Sequence, residues 1–131
     1  MVTPSNAGSK SRSYDVILSG GGLVGLSLAI ALADAGLEVA VVDRLDPATV
    51  VDEPFDGRAS AIARGSQHVL AATGVWQHVG SEAAPILDIR VSDGKVGRPP
   101  SRLFVHFDAD EFGEGPMGWI VENRIMRRAL H

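Results

Sequence analysis

Four glycines fall within six residues in Gly20-Gly21-Gly22-Leu23-Val24-Gly25, directly after the apolar run Asp15-Val16-Ile17-Leu18. Side chains are dispensed with where a backbone must turn sharply or where something must come close to it. The spacing Gly20-x-Gly22-x-x-Gly25 follows a strand-like run and opens a helix-like one, the context in which this pattern gains meaning. There the first glycine permits a tight turn, the second lets a pyrophosphate reach the main chain, and the third lets helix and strand pack closely. Unpaired N–H groups at the helix start, those of Leu23 and Val24 among them, then hold phosphate oxygens with the help of the helix dipole. Asp43 ends the next apolar run, with seventeen residues between it and Gly25, where a carboxylate can accept hydrogen bonds from an adenosine ribose. The same carboxylate repels a 2′-phosphate, which disfavours NADP, and Arg44 follows it as a further candidate cofactor contact. These residues fit the ADP half of a dinucleotide, and that half is common to FAD and NAD.

The elements that position them can be read from periodicity. Residues 14–18, Tyr14 to Leu18, are short, apolar and partly β-branched, as in a buried parallel strand. Leu23, Leu26, Ile30 and Ala33 recur at helical spacing, and Gly36 stands where that helix would stop. Leu37 to Asp43 is a second apolar strand, which completes a βαβ unit. A polar connection with Pro47 and Pro54 leads to Ala59–Ala72, whose composition and spacing predict a helix ended by Gly74. After Pro85 the pattern alternates: Leu87, Ile89 and Val91, then Leu103, Val105 and Phe107, with Asp93-Gly94 as a turn signal between them. A glycine-rich connection precedes the short strand Trp119–Glu122, and Asn123 is read as the cap of a last helix from Arg124 to His131. The fold class is therefore α/β: a Rossmann-like βαβ unit with an appended antiparallel β segment. No second crossover follows Asp43 and no stop signal closes the last helix, so the chain reads as truncated.

Composition narrows the functional classes. With 45% hydrophobic and 21% charged residues the chain is an ordinary globular sequence. The formal net charge of −4, with basic residues scattered rather than clustered, argues against nucleic acid as a partner. With no cysteine, the chain has no disulfide, iron–sulfur cluster or thiol nucleophile. Residues 1–13 read as a loose polar tail without the apolar core of a signal peptide. The longest near-apolar stretch, Leu23 to Ala33, is too short to span a bilayer, which takes roughly 20 residues. His68, His78, His106 and His131 show no metal-ligand spacing, and no GxSxG occurs, which disfavours a hydrolase. Trp76 and Trp119 read as packing residues, with an approach of Trp119 to a bound flavin as the alternative.

The run DVILSGGGLVGLSLAIALADAGLEVAVVDR, followed by FDGRASAIARGS and then LAATGVW, resembles the N-terminal part of the FAD-dependent aromatic hydroxylases of ubiquinone biosynthesis. It is closest to the 2-octaprenyl-6-methoxyphenol hydroxylase type, within the class that includes para-hydroxybenzoate hydroxylase. The resemblance covers residues 14–131. It implies FAD as cofactor, NAD(P)H and O2 as co-substrates and a prenylated phenol as substrate. It also assigns Gly20, Gly22 and Gly25 to the pyrophosphate loop, Asp43 to the ribose, Arg58 to the neighbourhood of flavin and pyrophosphate, and Arg124 to the ribityl and phosphate region. A guanidinium at Arg58 suits a diphosphate on chemical grounds. The plainer alternatives are a surface pair of Arg58 with Asp56 or Glu53, and a solvated face that Arg124 shares with Arg127 and Arg128. In the family the cofactor carries the oxidation chemistry, so no residue is assigned as catalytic.

Two later motifs of that family, an Asp-Gly and a Gly-Asp motif that complete its cofactor site, are absent from the chain. The preferred reading is a fragment of a hydroxylase that is inactive by itself. The alternative is a stand-alone dinucleotide-binding or interaction module. A cut sheet leaves apolar faces open, which implies self-association. The expected location is cytoplasmic, and the lipophilic substrate that the resemblance implies makes a place at the inner membrane or in a multi-enzyme assembly plausible.

Overall fold

A computed structural model describes residues 12–51, 56–113 and 115–131. Most of the tail and Glu53 lie outside the described residues. The chain divides into two units, Met1–Asp43 and Arg44–His131.

The first unit is the βαβ element. Strands β1 (Val16–Ser19) and β2 (Val39–Val42) pair in parallel, Val16 opposite Val39 and Ser19 opposite Val42. Helix α1 (Leu23–Asp34) connects them and stops at Gly36, whose φ of 87° is the left-handed conformation that glycine adopts without penalty. The strand pair is tied at its start by Asp15 N–H donating to the Glu38 carbonyl at 2.8 Å and Glu38 N–H to Asp15 Oδ2 at 2.8 Å. Helix α1 is apolar on every face, a pattern that belongs to a helix covered all round. Here Val24 and Leu28 of the helix and Ile17 and Val42 of the strands are exposed.

The second unit is antiparallel. After the short helix α2 (Pro47–Val51), strand β3 (Ala59–Ala63) pairs with β7 (Gly118–Glu122), which also pairs with β4 (Ala84–Ile86). Helix α3 (Arg64–Ala72) follows β3, and two 3₁₀ turns, Val75–His78 and Gly80–Glu82, lead to β4. A separate ribbon joins β5 (Asp88–Ser92) to β6 (Phe104–Asp108), with α4 (Ala109–Phe112) directly after it. The last helix is α5 (Asn123–Leu130). Leu70, Val75, Val79, Val121, Ile125, Met126 and Leu130 form the core. Trp76 and Trp119 meet edge to face, with ring centroids 5.2 Å apart. Packing is thus the role both tryptophans have in this structure.

Four expectations are corrected. Residues 59–63 are a strand, not the first turns of a helix: the register Ala59↔Glu122 to Ala63↔Gly118 overrides the helix preference of the alanines. The connection before them contains α2, signalled by Asp46, whose carboxylate accepts from Ala48 N–H at 3.0 Å, and by Pro47 at the first helical position. Asn123 does not cap α5; it is the first helical residue, and its Oδ1 accepts from Ser60 Oγ at 2.6 Å. The turn of the β5–β6 ribbon forms around Gly97, at φ 79°, with Arg98 N–H donating to the Lys95 carbonyl, rather than at Asp93-Gly94.

Candidate functional site

The glycine loop is held from three sides, and each glycine meets a different steric demand. Gly20 has φ +112° and donates its N–H to the Val42 carbonyl at 2.8 Å, so the chain turns away from β1 while still anchored to β2. Gly25 has no room for a side chain: a Cβ there would stand 2.0 Å from the Gly20 carbonyl oxygen. Gly22 is the reverse case, with nothing within 4 Å of where its Cβ would be. Its missing side chain therefore serves neither turn nor packing and leaves the main chain open to a ligand.

Gly22 is also the N-cap of α1, and no side chain caps the helix. The first N–H groups of a helix have no partner within it, and the first turn of α1 has no acidic residue to compete for them. The open approach at Gly22, the uncapped helix start and the lack of acid in that turn fit a diphosphate. Leu23 and Val24 belong to this first turn, and Ser27 returns its hydroxyl to the Leu23 carbonyl at 2.7 Å.

Asp43 lies at the same loop. Its Oδ2 accepts from Gly21 N–H at 2.6 Å, and a Cβ on Gly21 would meet Asp43 Cβ at 3.3 Å. Gly21 is the residue that the spacing argument missed; the unbroken run of three glycines was the available signal. The structure thus brings Gly20, Gly21, Gly22, Leu23, Val24, Gly25 and Asp43 together within the first unit.

Arg44, Arg58 and Arg124 belong to the second unit. Arg44 is exposed and follows Asp43 just beyond β2. Arg58 precedes β3 and binds Asp56 in a fork, Nη2 at 2.7 Å and Nε at 2.9 Å, while its backbone N–H donates to Asp56 Oδ1 at 2.9 Å. Its side chain remains 68% exposed, whereas that of Arg127, which reaches the same carboxylate at 3.3 Å, is only 12% exposed. The Arg58 side-chain bonds, joined by the Arg58 backbone and by Arg127, hold the Asp56 carboxyl down from 3.8 to about 2. Arg124, in the first turn of α5, donates from Nε to Glu122 Oε2 at 2.5 Å. The pairing of Arg58 with Asp56 is therefore present, and Arg127 is not part of a solvated face.

One cluster was invisible to linear spacing. Asp88, His106 and Asp108 bring ligand-type atoms within 4.8 Å of one another because Asp88 and Asp108 face each other across β5 and β6. His106 Nε2 and Asp88 Oδ1 are 2.7 Å apart, and Asp108 caps α4 through Asp110 N–H at 3.0 Å. These bonds give the cluster a structural occupation.

The family described as an FAD binding domain matches residues 13–103. A ubiquinone hydroxylase of Rhodospirillum rubrum, UbiL, is 48% identical over 123 residues, covering 94% of this chain and 27% of that protein. A mitochondrial ubiquinone biosynthesis monooxygenase of Xenopus tropicalis is 36% identical, covering 89% of this chain and 25% of its own. The 3-demethoxyubiquinol 3-hydroxylase of Escherichia coli is 33% identical, over 88% of this chain and 29% of its own. The chain spans about a quarter of the length of these curated relatives. The crystal structure of the flavin-dependent monooxygenase PieE in complex with FAD and substrate superposes with a TM-score of 0.59 at 20% identity, covering 89% of this chain and 21% of that one. That similarity shows the fold.

Proposed function

This chain belongs to the FAD binding domain family, and from that premise we propose that residues 14–131 are the N-terminal part of an FAD-dependent aromatic-ring hydroxylase of ubiquinone biosynthesis. The single observation that carries the cofactor assignment is the division of labour among the loop glycines: a turn at Gly20, a forced contact at Gly25, and open space at Gly22. In this reading the N–H groups of Gly22, Leu23, Val24 and Gly25 bind the diphosphate, and Asp43, oriented by Gly21, binds the adenosine ribose. Arg44, Arg58 and Arg124 supply cationic contacts to the phosphate and ribityl portions. FAD would bring the redox chemistry, with NAD(P)H as reductant and O2 as oxidant on a prenylated phenol; the protein's part is to bind, orient and exclude water. The names and identities of the relatives support the choice of pathway.

No helix among the described residues is long and apolar enough to cross a membrane. A cytoplasmic protein peripheral to the inner membrane, or one joined to other enzymes of the route, is the placement that a lipophilic substrate favours.

Calorimetric titration of the 131-residue chain with FAD, NAD and ADP tests the cofactor reading. FAD is expected to bind more tightly than ADP, because its flavin half adds contacts, and Gly22→Val is expected to abolish both. Equal binding of NAD, or binding of ADP alone, would turn the reading to a dinucleotide-binding module. For the hydroxylase reading, the check is O2-dependent NAD(P)H oxidation, stimulated by a prenylated phenol, by a protein of the relatives' length that contains this chain.

A further inference from the structure

We infer that the turn of the β5–β6 ribbon, residues 93–103, docks on the surface of an anionic phospholipid bilayer. Basic residues are spread along the chain as a whole, but this turn holds three of them, Lys95, Arg98 and Arg102, against the single acid Asp93. All four are exposed. Among the described residues no ion pair engages the three cations, so their charge faces solvent.

The ribbon sorts its charge along its length. At the base Asp88 stands opposite Asp108, and Asp110 and Glu111 follow in the first turn of α4. At the other end Ser92 and Phe104 form the last pair before the basic turn. A negative surface therefore attracts the tip and repels the base, even though the chain as a whole has a formal net charge of −4. The turn is also closed by its own hydrogen bonds. Ser101 N–H donates to the Asp93 carbonyl at 2.8 Å, Leu103 N–H to Ser101 Oγ at 3.1 Å, and Arg98 N–H to the Lys95 carbonyl at 3.0 Å.

Apolar side chains share the tip with the cations. Val96 is 107% exposed, Leu103 85% and Phe104 59%. Single exposed apolar residues are ordinary on a protein surface. Three of them interleaved with three cations match the two layers of a bilayer face. The ammonium and guanidinium groups pair with head-group phosphates, while Val96, Leu103 and Phe104 enter the boundary with the acyl chains. Lysine and arginine suit this border because their methylene stems lie along apolar surface while their heads stay in water. A nucleic acid or another soluble polyanion would pair with the cations and leave the aliphatic groups in water. The choice of a lipid surface also rests on the peripheral placement proposed above, whereas none of these residues belongs to the glycine loop.

The test is flotation of the 131-residue chain, without FAD, on vesicles of phosphatidylglycerol and phosphatidylcholine in equal parts and on vesicles of phosphatidylcholine alone. Flotation separates vesicle-bound protein from self-associated protein. Binding at low salt is expected to be at least about tenfold stronger on the anionic vesicles. Arg98→Gln combined with Arg102→Gln is expected to weaken it at least about tenfold. Arg12→Gln combined with Arg128→Gln removes the same charge from exposed positions elsewhere and is expected to change it by less than about twofold. Val96→Ser combined with Leu103→Ser is expected to weaken vesicle binding several-fold and to leave retention on heparin, a polyanion without hydrocarbon, unchanged. Equal binding to the two vesicles, or equal losses in the two arginine pairs, would overturn the inference. So would vesicle binding that ignores the aliphatic pair, since a soluble polyanion would then be the better occupant. Titration with FAD keeps this outcome apart from the cofactor reading: a chain that binds FAD but no anionic vesicle loses the docking tip alone, and one that binds the vesicle but no FAD loses the cofactor reading alone.

Discussion

The glycine loop of the first unit and the arginine corner of the second are built by opposite means. The loop works by removing side chains: its members lie within six residues, apart from Asp43, and the main chain itself faces the ligand. The corner works by adding them: Asp56 and Arg127 meet across 71 positions, and the long side chains of Arg58 and Arg127 share one carboxylate with the Arg58 backbone N–H. A backbone-built site has no rotamer with which to absorb a change. A side-chain-built corner can regroup around whatever charge arrives. The loop should therefore fail abruptly under substitution, and the corner gradually.

The largest expected effect separates two glycines of the same loop. Gly25→Ala places a methyl group 2.0 Å from the Gly20 carbonyl oxygen, and the loss of stability should reach about 3 kcal/mol in denaturant titration. Gly22→Ala meets open space at a permissive φ of −77°, so its stability should change by less than about 1 kcal/mol. Its FAD affinity should nonetheless fall at least about tenfold, a loss of 1.4 kcal/mol. If Gly22→Ala binds FAD like the parent, the open space is not a ligand's approach and the contrast between the two glycines collapses.

The second unit offers one position that behaves like the loop. A Cβ on Gly118 would stand 2.6 Å from the Ile62 carbonyl oxygen, where β7 passes β3. Gly118→Ala should cost about 2 kcal/mol, read as a shifted urea midpoint, because a strand can slide where a βα turn is locked. A neutral result would mean that the antiparallel sheet adjusts freely, which would sharpen the distinction from the loop.

What could be read beforehand follows the same division. The loop, its helix stop at Gly36 and the place of Asp43 are local or set by one crossover, so residue type and spacing suffice. Ala59-Ser60-Ala61-Ile62-Ala63 has helical composition, and only its partner β7, more than fifty residues away, makes it the extended strand β3. Asn123 has the residue type of a cap, but Ser60, brought in by that same pairing, takes its side chain instead. The cluster of Asp88, His106 and Asp108 has no linear signature, since cross-strand register alone creates it. Arg58 is the instructive intermediate case. Its partner Asp56 was foreseeable two residues away, yet the buried Arg127 that shares the carboxylate was not.

Acid titration probes that sharing. A carboxyl whose pKa is lowered by folding contributes stability that is full above its ordinary 3.8 and is lost as pH falls through about 2. Between those values the parent chain should lose urea resistance more steeply than Asp56→Asn, whose amide does not titrate. Parallel curves for the two proteins would show that the corner holds together without its central charge.

The smallest effect is expected at Arg124. Its bond to Glu122 is short at 2.5 Å, but both side chains are about one-third exposed, so solvent and salt screen the pair. Arg124→Gln should therefore change stability by no more than about 0.5 kcal/mol. On the reading in which Arg124 contacts the cofactor, the same substitution should weaken FAD binding several-fold, and Arg124→Lys should restore only part of it, since an ammonium lacks the planar fork. Glu122→Gln supplies the counter-test. With its bond to Glu122 weakened, the Arg124 guanidinium should bind FAD at least as well as in the parent, whereas an arginine whose work is the ion pair itself would lose the same small stability in either variant and leave FAD affinity untouched.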